Sequence, residues 1–393
     1  MLILSQTEVQ RITVSASALG TPMAFLAPIS LEPNLQPRPY RGGSRLAAFR
    51  GLGGAPGDRF PEDWVGSVTT VFGHDDVGLS RLPDGRTLRE AVASDPAAYL
   101  GPDHVAVLGT STGLLVKVID AQQRLAVHAH PDRPFARRQL RTPYGKTEAW
   151  YILQTAGPES AVFFGFVEDV DENRLLATVE SGQGATLLDL MHRIPVEPGD
   201  VIFVPAGTPH AIGEGILLVE AQEPSDLLVR LEWSGYATGS MPSDMGLGFP
   251  TALRAVDRTG WDAHRLAAVR SSIPRSREGL VSRLPPTASE FFRLEAGTVH
   301  GTLTLAPGFC IVITIGGAGE ISAGGKDMPI SVGAAVLLPW AAGDVEIRGD
   351  LDIVVCRPPD PVDVRRLDPG LEEWLEATGR RLSRMKENDH VKT

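Results

Sequence analysis

The sequence predicts a mainly β protein made from one β-barrel unit used twice. Three observations carry that expectation. Short apolar runs bounded by turn residues recur along the chain: VFFGF, DVIFVPAG, GILLVEAQ, DLLVRLEW, GTLTLAPGF, CIVITI, AAVLLPW and DIVVCRP. Glycine and proline, 42 and 31 of the 393 residues, punctuate them. A faint internal repeat sets GDVIFVPAGTPHAI, from Gly199, over GAAVLLPWAAGDVEI, from Gly333. Gly199 then meets Gly333, Pro205 meets Pro339 and His210 meets Asp344. Each copy reads as turn, apolar strand, proline turn and second strand, an arrangement suited to sandwiches and barrels.

Helical signals are fewer and peripheral. TLREAVASDPAAYL, DENRLLATVESG, ATLLDLMHRI and FPTALRAVDRTG are short amphipathic candidates. A last segment, DPGLEEWLEATGRRLSRMKEN, opens on Asp368-Pro369 and ends on basic residues, as a C-terminal helix should. The expected organisation is an N-terminal extension at 1–22, a first unit with helical additions at 23–270 and a linker at 271–290. A second, degenerate barrel follows at 291–360, with a C-terminal helix and tail at 361–393. The linker rests on SSIPRSREGLVSRLPPTASE, rich in Ser and Pro.

Bulk properties exclude several classes of function. Hydrophobic residues make up 42% and charged residues 22%, values ordinary for a soluble globular protein. The 37 Lys and Arg against 48 Asp and Glu give a formal net charge of −11, with no basic stripe for nucleic acid. No stretch approaches the ~20 apolar residues of a membrane span. The opening MLILSQTEVQRITVSASALGTP lacks a basic start and is interrupted by Gln6, Glu8, Gln10 and Arg11, so it does not read as a targeting segment. Cys310 and Cys356, the two cysteines, lie in apolar runs and read as buried thiols, consistent with a cytoplasmic protein.

The chemistry concentrates in three places. In LAVHAHPD, His128 and His130 stand two apart, so on a strand both imidazoles face one side and converge as chelation requires. In the second place, Gly199, Pro205, Gly207 and His210 give the spacing G-x5-P-x-G-x2-H, a strand and tight turn that project a histidine back inward. In the third, Glu148 opens the strand-like EAWYIL. The remaining histidines (His74, His104, His192, His264, His300 and His390) fall outside any ligand spacing and read as surface or helix-end residues. Lys117, in the otherwise apolar VKVID, is either at a sheet edge or functional.

Together the HxH and the glycine–proline–histidine motif, about 80 residues apart, resemble the two-part signature of the cupin superfamily. That likeness implies two cupin-type jelly rolls, with a metal held on histidines and a carboxylate of the first. The runs PYRGGSRL, GLLVKVIDAQQRLAVHAHPD, YGKTEAWYIL and PGDVIFVPAGTPHAIGEGILLVEAQEPSDLLVRLEW further resemble, in order, the type I phosphomannose isomerase family in its shorter bacterial form. The resemblance covers most of residues 30–360. It implies a zinc-dependent, cytoplasmic enzyme that interconverts mannose 6-phosphate and fructose 6-phosphate through a cis-enediolate. Carried over, His130, Glu148 and His210 would be metal ligands. The fourth position, usually Gln or Lys, is His128 here, and imidazole also suits Fe, Mn or Co. Arg230 matches an arginine set against the reacting carbons, and Lys146 a lysine of the substrate pocket. Lys117 and Asp226 are further candidates for binding substrate.

A loop of 17 residues separates His130 from Glu148 and contains Arg133, Arg137, Arg138, Arg141 and Lys146. Such a loop suits a phosphorylated substrate better than an oxygenase, because guanidinium and ammonium groups grip phosphate oxygens. Lys146, Lys117 and a metal-bound water are the candidate proton carriers. Other readings stay open: a cupin oxygenase, an isomerase of another, unphosphorylated sugar, or a non-catalytic sugar- or metal-binding cupin. The expected partner is a small-molecule sugar phosphate, with no nucleic acid or membrane, for a monomer or homodimer.

Overall fold

A computed structural model describes residues 24–182, 184–237, 242–271, 278–375 and 377; the expected extension at 1–22 and most of the C-terminal tail lie outside them. The chain is mainly β, in cupin-type jelly rolls, as the strand-like runs anticipate. The first unit pairs two antiparallel sheets. One is seven-stranded, in the order Arg270–Ser271, Val201–Val204, Glu148–Gln154, Ile216–Gln222, Leu115–Ala121, Glu62–Val65, Leu35–Gln36. The other is five-stranded, in the order Val229–Arg230, His128–Ala129, His210–Ile212, Ala161–Phe166, Met191–Pro195. Their inner faces share one core, in which Val162, Phe164 and Ile212 join Trp150, Ile152 and Leu218.

The second unit is a single seven-stranded sheet dominated by Arg293–Leu305, Cys310–Ala323 and Val345–Arg357. Side chains alternate across it. Ile311, Ile313, Leu337, Val354 and Cys356 join the core of the first unit, whereas Cys310, Val312, Val336, Leu338 and Val355 form a separate core. Burial on both faces is why CIVITI and DIVVC read as unbroken apolar runs rather than as alternating ones. It also places the two free cysteines on opposite faces, both buried. The strand Ile29–Ser30 pairs with Ala335–Leu338, so the start of the described chain completes the sheet of the second unit. Both copies of the repeat show the same course: a glycine at positive φ (Gly199 and Gly333), a four-residue strand, a proline turn, then a strand at His210 or Val345.

Two expected elements change. ATLLDLMHRI is not one helix: it splits into the helix Gly184–Leu188 and the strand Met191–Pro195. Pro195 disfavours a helical residue before it, and the strand Ala161–Phe166 supplies a pairing partner. DLLVRLEW contributes only Val229–Arg230 as a strand, at the edge of its sheet. TLREAVASDPAAYL is helical as expected but in two pieces, Leu88–Ser94 and Pro96–Leu100, the first with Thr87 and Glu90 closing a capping box. At the C-terminus, Pro361–Leu367 is helical and helix resumes from residue 369. Among the described residues no helix is long and apolar enough to cross a membrane.

Candidate functional site

Register brings the site together. In the five-stranded sheet Arg230 stands opposite His128, and His128 opposite His210. Directly paired residues share a face, so these three form one row across adjacent strands. In the facing sheet a second row runs Trp64, Lys117, Glu220, Trp150. Glu62 and Glu148, each two residues from a tryptophan of that row, point to the same side. A cavity of about 610 Å³ lies between the rows, lined by His128, His130, Lys146, Glu148, Lys117, Glu220, Glu62, Asp226 and Arg230.

Tight backbone packing seats the histidines. Gly207, at φ +88°, makes the turn before His210, and its N–H donates to the carbonyl of His130 at 2.7 Å. Gly145 lies flat against the His130 loop, where a Cβ would stand 2.5 Å from the Pro131 carbonyl oxygen. The Lys146 N–H donates to that same oxygen at 3.0 Å, fixing the strand that carries Glu148 against the HxH segment.

The three imidazoles are close, with ring centroids 4.9 Å (His128–His130), 4.2 Å (His128–His210) and 4.9 Å (His130–His210) apart. Each Nδ1 lies against a backbone carbonyl: Ala126 at 2.7 Å, Leu227 at 2.7 Å and Thr208 at 2.8 Å respectively. A carbonyl only accepts, so each Nδ1 carries the proton and each Nε2 keeps a lone pair. The three rings offer ligand atoms within 4.8 Å of one another. Glu148 joins them, with Oε2 3.1 Å from His130 Nε2 and Oε1 3.2 Å from His210 Nε2.

This donor set fits a metal cation. Among the described residues, buried His210 Nε2 has no hydrogen-bond partner. Its nearest neighbour is a carboxylate oxygen, and two lone pairs facing each other need a cation between them. Burial, reinforced by the other histidines and Lys146, holds His128 well below its ordinary value, and burial with Lys146 brings His130 down to about 3. Glu148 is likewise held well below the carboxylate range: burial opposes its charge, but Lys146 and His130 outweigh it. Neutral imidazoles and an ionised carboxylate are the forms that ligate.

The other expected residues fall as follows. Lys146 is buried in the cavity, its Nζ 2.7 Å from Glu148 Oε2 and 2.8 Å from His130 Nε2. Lys117 is 3% exposed on a central strand, not an edge, and pairs with Glu220 at 3.0 Å. Asp226 lines the cavity but faces Arg38 at 3.5 Å and the Phe72 N–H at 3.3 Å. Arg230 has no carboxylate partner among the described residues, and burial lowers its pKa. The basic loop is the main departure. Of its five cations only Lys146 lines the cavity. Arg133 instead is buried against Glu223 (2.6 Å) and Asp368 (3.0 Å), and Arg137 reaches Asp368 at 2.5 Å. His104 lies in the first turn of the helix Pro102–Leu108, a helix-end place, buried against the Ser111 carbonyl, and exposed His74 lines the cavity.

Sequence reasoning missed Glu220 and the cluster around Glu62. Glu62 accepts from Arg38 Nε (2.8 Å), Tyr40 Oη (2.8 Å) and Trp64 Nε1 (2.8 Å). Trp150 Nε1 spans Glu148 and Glu220 at 3.1 Å each. The signal was present in VKV and LLVEAQ, two apolar stretches each carrying one charge of opposite sign.

Comparison with known proteins agrees. Residues 285–358 match the family model described as mannose-6-phosphate isomerase, cupin domain. Mannose-6-phosphate isomerase ManA of Bacillus subtilis (strain 168) is 28% identical over 246 residues, 62% of this chain and 74% of that one. The crystal structure of mannose 6-phosphate isomerase from Bacillus subtilis superposes with a TM-score of 0.65 at 26% identity, over 84% of this chain and 100% of that one. A structure of mannose 6-phosphate isomerase bound with zinc and yttrium shares the fold, with a TM-score of 0.65 at 15% identity, over 85% and 100%. Fold, motif order and relatives concur: the chain has a cupin-type fold and is similar to mannose-6-phosphate isomerases along most of its length.

Proposed function

We propose that this chain is a metal-dependent aldose–ketose isomerase that interconverts mannose 6-phosphate and fructose 6-phosphate, with His128, His130, Glu148 and His210 as metal ligands. One observation carries the reading: His210 Nε2, without a hydrogen-bond partner among the described residues, meets the Glu148 carboxylate beside a cavity that Arg230 also lines. The relatives' names and the zinc-bound neighbour support the substrate and the choice of Zn²⁺.

The reaction moves a proton between C1 and C2 and leaves negative charge on the adjacent oxygens. Bound metal supplies Lewis-acid charge for those oxygens. Arg230, in register with His128 on the neighbouring strand, adds a second positive charge at that end of the cavity. Lys146 carries protons at Nζ within reach of the same space, and Lys117 is the second ammonium there, held by Glu220. Glu148 is a poor base, since ligation and Lys146 both hold its charge.

The test is dialysis against a chelator followed by assay of fructose 6-phosphate conversion with and without Zn²⁺. Turnover should vanish and return with metal; no metal-dependent turnover of any hexose 6-phosphate overturns the reading. His210→Ala should lose bound metal by elemental analysis while keeping the wild-type circular dichroism spectrum. Full metal occupancy in that variant would show that the ligand set is wrong.

A further inference from the structure

Five cationic side chains line the cavity: Arg38, Arg59, Lys117, Lys146 and Arg230. Three are already committed to carboxylates. Arg38 binds Glu62 and Asp226, Lys117 binds Glu220, and Lys146 binds Glu148. Arg230 and Arg59 have no carboxylate partner among the described residues. Arg230 stands in register with His128 and so belongs to the metal end. Arg59 enters from elsewhere. It lies on the segment before the strand Glu62–Val65, bridged to Gly42, and among the described residues its one side-chain hydrogen bond goes to the Pro39 carbonyl at 2.6 Å. That bond uses one of the five N–H donors of its guanidinium, which is half-buried on the cavity wall.

A hexose 6-phosphate carries its reacting carbons at one end and its dianion at the other. If C1 and C2 sit at the histidine row, the phosphate must find a cation on another wall. A cation already neutralised by a carboxylate offers little net attraction, which removes Arg38, Lys117 and Lys146. We propose that Arg59 is the residue that binds the phosphate, and so makes the site select a phosphorylated sugar over the free one. The inference rests on the isomerase reading for its substrate, but not for its anion.

The experiment uses the metal-loaded full chain, wild type against Arg59→Ala and Arg59→Lys. Loss of a charged hydrogen-bonding partner should raise KM for fructose 6-phosphate about 10- to 100-fold, with the loss in kcat/KM carried mainly by KM. Calorimetric affinity for inorganic phosphate should weaken by a similar factor, while metal content stays equal. Arg59→Lys should recover part of both, because it restores the charge but not the planar fork. Unchanged KM and unchanged phosphate affinity in Arg59→Ala overturn the assignment while leaving the isomerase reading intact. Absence of hexose 6-phosphate turnover in the wild type sinks that reading alone, and the phosphate titration still decides the role of Arg59. Should Arg59→Ala fail to fold, the same two readouts in Arg59→Lys decide it, where wild-type values would overturn the proposal.

Discussion

Glu62 shows how strongly single side chains are set by their neighbours here. Burial alone would raise its carboxyl, but Arg38 and Lys117 outweigh burial and bring it from 4.5 down to about 2. A carboxyl with a depressed folded-state pKa stabilises the fold above its unfolded value. That contribution is lost as pH falls from about 4.5 towards 2. At ~1.4 kcal/mol per pH unit the pair of states differs by roughly 3–4 kcal/mol. Glu62→Gln should therefore be less stable than wild type at pH 7 by about that much, the gap closing as pH approaches 2. Urea denaturation across that range checks it; a constant gap would mean that the charge of Glu62 is not what matters. Glu220, on the next strand but one, goes the other way, raised by burial and then by the charge of Glu148. Two carboxyls in one cavity are thus pushed apart, Glu62 lowered by the cations around it and Glu220 raised by burial and a neighbouring carboxylate.

Between elements, the decisive contacts are backbone to backbone. The segment leading through Lys146 into the strand of Glu148 meets the HxH segment through Gly145, where a Cβ would press on the Pro131 oxygen and the Arg133 nitrogen, at 2.5 and 2.7 Å. Neither atom can move without shifting His130 or Arg133. Gly145→Ala should cost about 2 kcal/mol or more and weaken metal affinity at least tenfold, because it separates Glu148 from His130. A variant with wild-type melting temperature and metal affinity would disprove this coupling. The same strand is tied from behind by buried Glu223, which accepts the Thr147 N–H at 2.9 Å, and by the Ser225 hydroxyl on the Gly145 carbonyl.

Across the whole molecule, the loop after His130 works as a clamp rather than as a phosphate grip. Arg133 donates to Glu223 in the first unit, to the Glu290 carbonyl (2.9 Å) at the foot of the second, and to Asp368 (3.0 Å) before the C-terminal helical residues. Breaking a buried pair from one side leaves a charge uncompensated. Arg133→Ala should lower stability by roughly 3 kcal/mol and speed proteolysis after residue 360. Asp368→Ala, on the half-buried side, should cost about 1 kcal/mol. Equal resistance to proteolysis in Arg133→Ala would show that the clamp does not hold the C-terminal segment. Burial of the second sheet on both faces works to the same end, making the two units one continuous core.

Local chemistry made much of this legible in the sequence. Turn residues around apolar runs announced β-structure, and the period of two in His128–His130 required a shared face, whatever the surrounding fold. The glycine–proline spacing before His210 required a tight turn, and the structure shows Gly207 at positive φ there. What the sequence could not carry was pairing across distance. That Lys117 meets Glu220, Arg133 meets Asp368 and Arg230 meets no carboxylate among the described residues depends on strand register and on which wall of the cavity each strand forms. Charge on a side chain is written in its residue type. Whether that charge is already neutralised, and so whether it can act on a substrate, is decided only when the folded chain brings its partners within reach.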